Sequence, residues 1–462
     1  MTENGRMDIK NKVWDICKIL RDDGMHIGSY VEQVTILLFL KMIEEREAKF
    51  DETDNIPDEY RWDKLTEKNG EELLDHYEET LRELGSRDGL LGEIFGRVNS
   101  QFKTPVNLSN AVAEIDAIDW NNYGADVKGA AYESLLERYA EEAKGAGQYF
   151  TPRPAITATV KAIDPEHDEK IHDPAAGTGG FLIEAYEHIL EKNNEGLDLN
   201  REERNKLSEE NLTGVELVPE TRRLGLMNMV LHDLYSDITR DNSLQNPPSD
   251  RFDVILANPP YGGQNQEEPL RDDFFVESKK PELNFLQHSF SMLNDGGKCG
   301  IVVPDGVLFQ TGQAKRVRKH LMKNADIHTI LILPIGAFHP YTNVTTNIVF
   351  FDKGGETEQV DFYDLRTDIE KIKKSNPLME DHFSDFLDKW DSRENADKYF
   401  SVGIEEIKEN DWSLNYKKYK QFDSGDEELP APEELLTELL SLQETISENT
   451  QQILDEIEAD NK

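Results

Sequence analysis

The sequence predicts an α/β fold: a mostly parallel sheet flanked by helices, preceded by an all-helical domain and followed by one further helix. Three observations lead there. From residue 146 onward, short apolar runs of β type alternate with helical stretches, the pattern of repeated βαβ units. Before residue 150 there is no strand-rich run, and apolar residues fall at helical spacing. At the far end, apolar residues return at a 4-3-4 spacing within a strongly acidic segment.

The elements follow in order. Val13, Ile16, Ile19 and Leu20 share a helical stripe, and Val31, Val34, Leu37, Leu38 and Leu40 continue it. Charged helical stretches then cover 73–84, 108–118 and 129–139, so residues 1–145 form a helical N-terminal domain. Strands are expected at 170–172, 212–215, 252–257, 299–303, 327–333 and 347–351, each ending near a turn signal. Helices are expected at 181–190, 221–231, 284–293 and 312–322, with a polar surface insert at 191–211. The stretch 356–425 is mixed in pattern and closes a second domain spanning 146–425. Leu435, Leu439, Leu442, Ile446, Ile453 and Ile457 make 426–462 an amphipathic helix. Such a stripe packs on its own domain or docks another chain. Docking is favoured, because a terminal segment has less of its own domain to cover.

Composition narrows the function. A length of 462 residues exceeds one ordinary domain. Cys17 and Cys299 are the two cysteines, which excludes a disulfide scaffold and a cysteine-rich metal site. There is no HExxH motif, so no metal is expected in the chemistry. The start has no apolar leader, and the apolar run at 36–40 is far too short to span a bilayer, so a soluble cytoplasmic protein without a membrane role is expected. A formal charge of −42 lowers the expectation that this chain binds DNA unaided, since phosphates favour a positive surface. Net charge governs steering and solubility, however, and not fold or catalysis.

Two loops carry the chemistry. The first, Asp173-Pro-Ala-Ala-Gly177-Thr178-Gly179-Gly180-Phe181, leaves a strand and opens a helix. Glycines there let the backbone turn tightly and approach a ligand beside the free amides of a helix start. Neither GxGxxG nor GxxxxGK[ST] occurs, which argues against a dinucleotide fingerprint and a nucleotide-triphosphate loop. Glu216 ends the next strand, where a carboxylate can accept from both hydroxyls of a ribose. The second loop, Asn258-Pro259-Pro260-Tyr261, follows the strand at 252–257. Its two prolines remove backbone donors, leaving the Asn258 side-chain oxygen and the Pro259 carbonyl as acceptors for a planar amine. Tyr261 offers a ring face for stacking, worth about 1–3 kcal/mol per base. The densest basic run, Lys315, Arg316, Arg318, Lys319 and His320, is read as a solvated helix or, less favoured, a DNA contact.

These residues resemble a known family. DPAAGTGGF is similar to the S-adenosylmethionine loop of class I methyltransferases, and NPPY to the catalytic loop of DNA adenine-N6 methyltransferases. Gln148, Tyr149, Phe150, Thr151, Pro152 and Arg153 resemble the motif that closes over the methionine end of the cofactor, in the motif order of the gamma class. WDICKILR at 14–21, TILLFLKM at 35–42, ELVPETRRLGLMN at 216–228 and LPIGAF at 333–338 resemble modification subunits of type I restriction–modification systems. The resemblance implies a Rossmann-like fold and the cofactor S-adenosyl-L-methionine. It also implies a flipped adenine stacked on Tyr261, with its N6 amine oriented by Asn258 and Pro259. Cofactor contacts carried over are residues 148–153, Asp173, Gly177, Thr178, Gly179, Gly180 and Glu216, with Asp241 or a direct neighbour at the cofactor's adenine. The implied partners are DNA, a specificity (S) subunit bound by two modification subunits, and a restriction (R) subunit. Two other readings remain: a protein-glutamine or rRNA-guanine methyltransferase, and a scaffold without turnover.

Overall fold

The computed structural model describes residues 12–17, 27–44, 56–118, 129, 131–136, 150–262, 271–339, 344–369, 371–373, 376–392 and 398–420. Gln148, Tyr149 and the expected helix at 426–462 lie outside these residues. Residues Met1–Tyr416 make one compact unit and Lys417–Lys462 a second.

The N-terminal region is helical as expected, with no strand among its described residues. Its main helices are α1 (Ile27–Glu44), α2 (Gly70–Gly85), α3 (Leu90–Phe95) and α4 (Pro105–Asp116). In α2, Leu73, Tyr77, Leu81 and Leu84 recur on one face and are buried, which explains why so charged a segment holds a helix. The α1 sequence is apolar nearly all round, and Val34, Leu37, Leu38 and Phe39 are all fully buried.

Nine strands form one sheet among the described residues: β1 (Ile171–Asp173), β2 (Leu212–Val215), β3 (Ile238–Thr239), β4 (Phe252–Ala257), β5 (Leu293–Pro304), β6 (Ala325–Ile332), β7 (Thr346–Lys353), β8 (Gln359–Asp364) and β9 (Tyr399–Gly403). Their spatial order is β3-β2-β1-β4-β5-β7-β6-β8-β9. Helix α5 (Arg153–Ile163) precedes the first strand, and the connections between strands carry α6 (Gly180–Lys192), α7 (Arg201–Glu209), α8 (Pro219–Leu231), α9 (Pro281–Met292) and α10 (Gln313–Leu321). Helix α7 occupies the polar insert and is started by a reciprocal capping box between Asn200 and Glu203.

The sheet is mostly parallel, as expected, but not wholly so. Strand β7 runs antiparallel to both β5 and β6, and β9 antiparallel to β8. No helical pattern separates 327–333 from 347–351, and without a crossover helix the chain must return antiparallel. Strands β1 and β4 are neighbours, so chain order reverses between them. Ligands of such sheets bind in the crevice beyond the carboxyl ends of the strands at that reversal. Asp173 closes β1, Asn258 follows β4 and Glu216 follows β2, which puts all three at this crevice.

Candidate active site

The Gly-rich loop turns from β1 into α6. Gly177 (φ 57°) and Gly179 (φ 81°) adopt the left-handed region, where a side chain is strained, so glycine is required at both. The turn is then pinned by its neighbours. Asp173 Oδ1 accepts from the Ala175 amide at 2.9 Å, and Glu216 Oε2 accepts from the Gly177 amide at 3.0 Å. The Val218 amide donates to Glu216 Oε1 at 2.8 Å. Both carboxylates are buried. Burial pushes the Asp173 carboxyl up to about 8, the Glu216 charge adding to the rise, and burial also raises Glu216. An apolar setting with two costly carboxylates is a site waiting for donors or positive charge.

A cavity of about 500 Å³ opens over this loop. Of the residues singled out in the sequence, it brings together Phe150, Thr151, Arg153, Asp173, Gly177, Thr178, Gly180, Glu216, Asp241, Asn258 and Pro260. Pro152, Gly179, Pro259 and Tyr261 are not part of its lining. Arg153 reaches the cavity wall, yet each of its three guanidinium nitrogens faces a carboxylate of the protein: Glu133 at 2.8 Å, Glu184 at 2.9 Å and Glu187 at 2.7 Å. Asp241 accepts from the Asn242 amide at 2.7 Å and from Asn246 Nδ2 at 2.9 Å, so its loop is built around it. Ser243 then ties that loop to the Gly-rich turn by donating to the Pro174 carbonyl at 2.6 Å.

Asn258 and Pro260 bring the second loop to the same cavity. Asn258 Nδ2 donates to Thr151 Oγ1 at 2.9 Å, while Asn258 Oδ1 is buried without a partner. Pro259 is buried and Tyr261 half-buried; burial pushes the Tyr261 hydroxyl up to about 12. A buried acceptor without a donor is suited to a group bearing N–H.

Phe181, the last residue of the Gly-rich motif, also lines the cavity, whereas sequence reasoning assigned no site role to several wall residues, among them Glu133, Ser134, Asn228 and Phe285. Asn228 carries a signal that was there to read: it is a lone amide in the apolar stretch Leu224–Leu231 of α8. Its Nδ2 donates to the Thr178 carbonyl at 3.1 Å, and its Oδ1 is buried and unpartnered at the cavity. Glu133 and Ser134 have no such signal, because they come from helical residues ahead of both site loops and outside every motif. The basic run lies on α10 and is largely used within the fold. Arg318 is buried and donates to the Val307 and Trp412 carbonyls, Lys315 pairs with Asp411, Lys319 lies over Trp412 and His320 stacks on Phe275.

Comparison with known proteins agrees with this geometry. Residues 123–428 match the N-6 DNA methylase family, and residues 9–115 match the HsdM N-terminal domain. The type I restriction enzyme StySPI methylase subunit of Salmonella potsdam is 36% identical over 442 residues, covering 90% of this chain and 81% of that subunit. The EcoKI methylase subunit of Escherichia coli K12 is 35% identical over 445 residues, with the same coverage. A solved chain from work on complex assembly and conformational transition of the type I restriction–modification system superposes with a TM-score of 0.77 at 31% identity, covering 98% of this chain and 99% of that one.

Proposed function

The chain belongs to the N-6 DNA methylase family, among the methylase subunits of type I restriction enzymes, and from that premise we propose how its site works. It is an adenine-N6 DNA methyltransferase. The family match favours DNA over protein-glutamine or rRNA-guanine acceptors.

The cavity suits S-adenosyl-L-methionine by the chemistry of its acceptors. That cofactor is rich in N–H and O–H donors and carries positive charge. The wall offers Asp173, Glu216, Asp241 and the unpartnered Asn228 Oδ1. A volume near 500 Å³ lies within the roughly 300–1,000 Å³ of ordinary ligand pockets. In this assignment Glu216 takes the ribose hydroxyls, Asp241 or Asn242 the adenine amine, and Phe150, Thr178, Gly180 and Asn228 the methionine end. When bound, the cofactor supplies a methyl group on a positively charged sulfur.

The residues of the chain prepare the acceptor. A target base inside a duplex is out of reach, so it must be flipped, and Tyr261 provides the face on which it stacks. Asn258 Oδ1 and the Pro259 carbonyl accept the two N–H bonds of the amine. That holds the nitrogen lone pair out of conjugation with the ring and aims it into the cavity. The single observation that carries this reading is the buried, unpartnered Asn258 Oδ1 at the cavity edge.

Sequence specificity comes in this reading from a separate S subunit bound by two copies of the chain, and an R subunit joins for cleavage. We assign residues 1–145 to a helical domain, 146–425 to the catalytic domain and 426–462 to a helix that docks the partner. The test is transfer of labelled methyl from S-adenosylmethionine to unmodified DNA. Label in N6-methyladenine with the S subunit present, and none without it, is the expected result. Label absent in both arms would end the reading.

A further inference from the structure

We propose that Thr151 is a positioning residue for the Asn258 carboxamide, and not a cofactor ligand. This rests on the reading above. A carboxamide presents an oxygen on one side and an NH₂ on the other, and the two are nearly alike in shape. Turned over, Asn258 would meet the N–H bonds of an amine with its own N–H bonds, and the acceptor would be lost. Something must therefore choose the orientation.

The loop itself cannot do so, because Pro259 and Pro260 carry no N–H to hold the oxygen or release the nitrogen. The side-chain partner that holds the carboxamide lies 107 positions away in sequence. Thr151 Oγ1 accepts from Asn258 Nδ2 at 2.9 Å, which occupies the donor and leaves Oδ1 buried and unpartnered. Thr151 is suited to the task. Its β-branch stiffens χ1, and the following Pro152 restricts its backbone to extended conformations, so the hydroxyl is held in place. Phe150 and Thr151 also line the cavity, so the segment that walls the cofactor site fixes the acceptor at the same time.

The experiment compares Thr151→Val, Thr151→Ala and Thr151→Ser with the wild-type chain, each assembled with its S subunit. Methyl transfer to unmodified DNA is measured at saturating S-adenosylmethionine, and cofactor affinity is measured by equilibrium binding. A buried amide donor left without an acceptor predicts a kcat loss of about tenfold or more for Val and Ala. Cofactor Kd stays within about twofold, and Ser restores kcat to within about threefold. Ala reads the same loss should Val misfold, and thermal melts identify misfolding. An unchanged kcat in Val and Ala would overturn the proposal. So would a Kd weakened in proportion to kcat, which would make Thr151 a cofactor ligand, or a Ser variant no better than Val. A wild-type chain that transfers no methyl would instead remove the functional reading, and this inference with it.

Discussion

Asp173 shows how one side chain ties burial to binding. With its carboxyl pushed up to about 8 by burial, the folded chain without ligand holds it mostly protonated at neutral pH. The sign for stability follows from the raised value. Its contribution is full below about 3.9, the ordinary carboxylate value, and is lost as pH rises through about 8. Binding of a donor-rich cation favours the carboxylate, so cofactor affinity should rise roughly tenfold between pH 6.5 and 8.5. Equilibrium binding across that range checks this, and Asp173→Asn should flatten the rise. At Tyr261, Phe should keep most activity and Ala should lose about 1–3 kcal/mol of stacking, read as a fall in kcat/KM on DNA. Both residues were legible from their motifs, because strand–turn signals bracket them. Asn228 was legible only in part, as one amide in an apolar helix. Glu133 was not legible at all, since it reaches the cavity through tertiary packing alone.

Among the elements, α8 joins the helical region to the site. Every residue from Thr221 to Leu231 is buried. On one side Arg222 pairs with Glu93 at 2.5 Å and Asp237 at 3.2 Å, Arg223 pairs with Glu32, and Tyr132 donates to the Leu224 carbonyl at 3.1 Å. On the other side the helix touches the Gly-rich loop, where a Cβ on Gly225 would stand 2.9 Å from the Gly177 carbonyl oxygen. Gly225→Ala should therefore cost about 1–3 kcal/mol and weaken cofactor binding, measured by denaturant melts and equilibrium binding. Arg222→Ala removes a buried guanidinium whose two carboxylate partners, Glu93 and Asp237, are exposed, so a loss of about 1 kcal/mol is expected. The sheet core was readable because buried central strands give continuous apolar runs. Strand β3 was not, being two residues long. In β8, buried Asp361 and Asp364 interrupt the apolar pattern. Asp361 is satisfied by Ser401 Oγ at 2.6 Å across the sheet, a bond that no local pattern announces, and Asp364 caps the turn that follows it by accepting from the Arg366 amide at 3.1 Å.

Across the whole molecule the charge of −42 sets the conditions under which the fold and its DNA chemistry operate. Like charges repel in the compact state and salt screens them, so the melting temperature should rise by several degrees from about 0.05 to 1 M KCl. A flat melting series would show that the acidic surface is already balanced by local pairing. The same charge, with the basic run of α10 engaged inside the fold, is in keeping with the proposal above that a partner subunit helps bring DNA to this chain. Among the described residues, no helix is long and apolar enough to cross a membrane. The central claim is that Asn258 presents the acceptor for an adenine amine. The most direct test is modification-aware sequencing of native DNA from cells carrying the intact gene or Asn258→Ala. Loss of N6-methyladenine at one recognition motif in the variant, with the protein present at its usual level, is the predicted result. An unchanged methylome would contradict it.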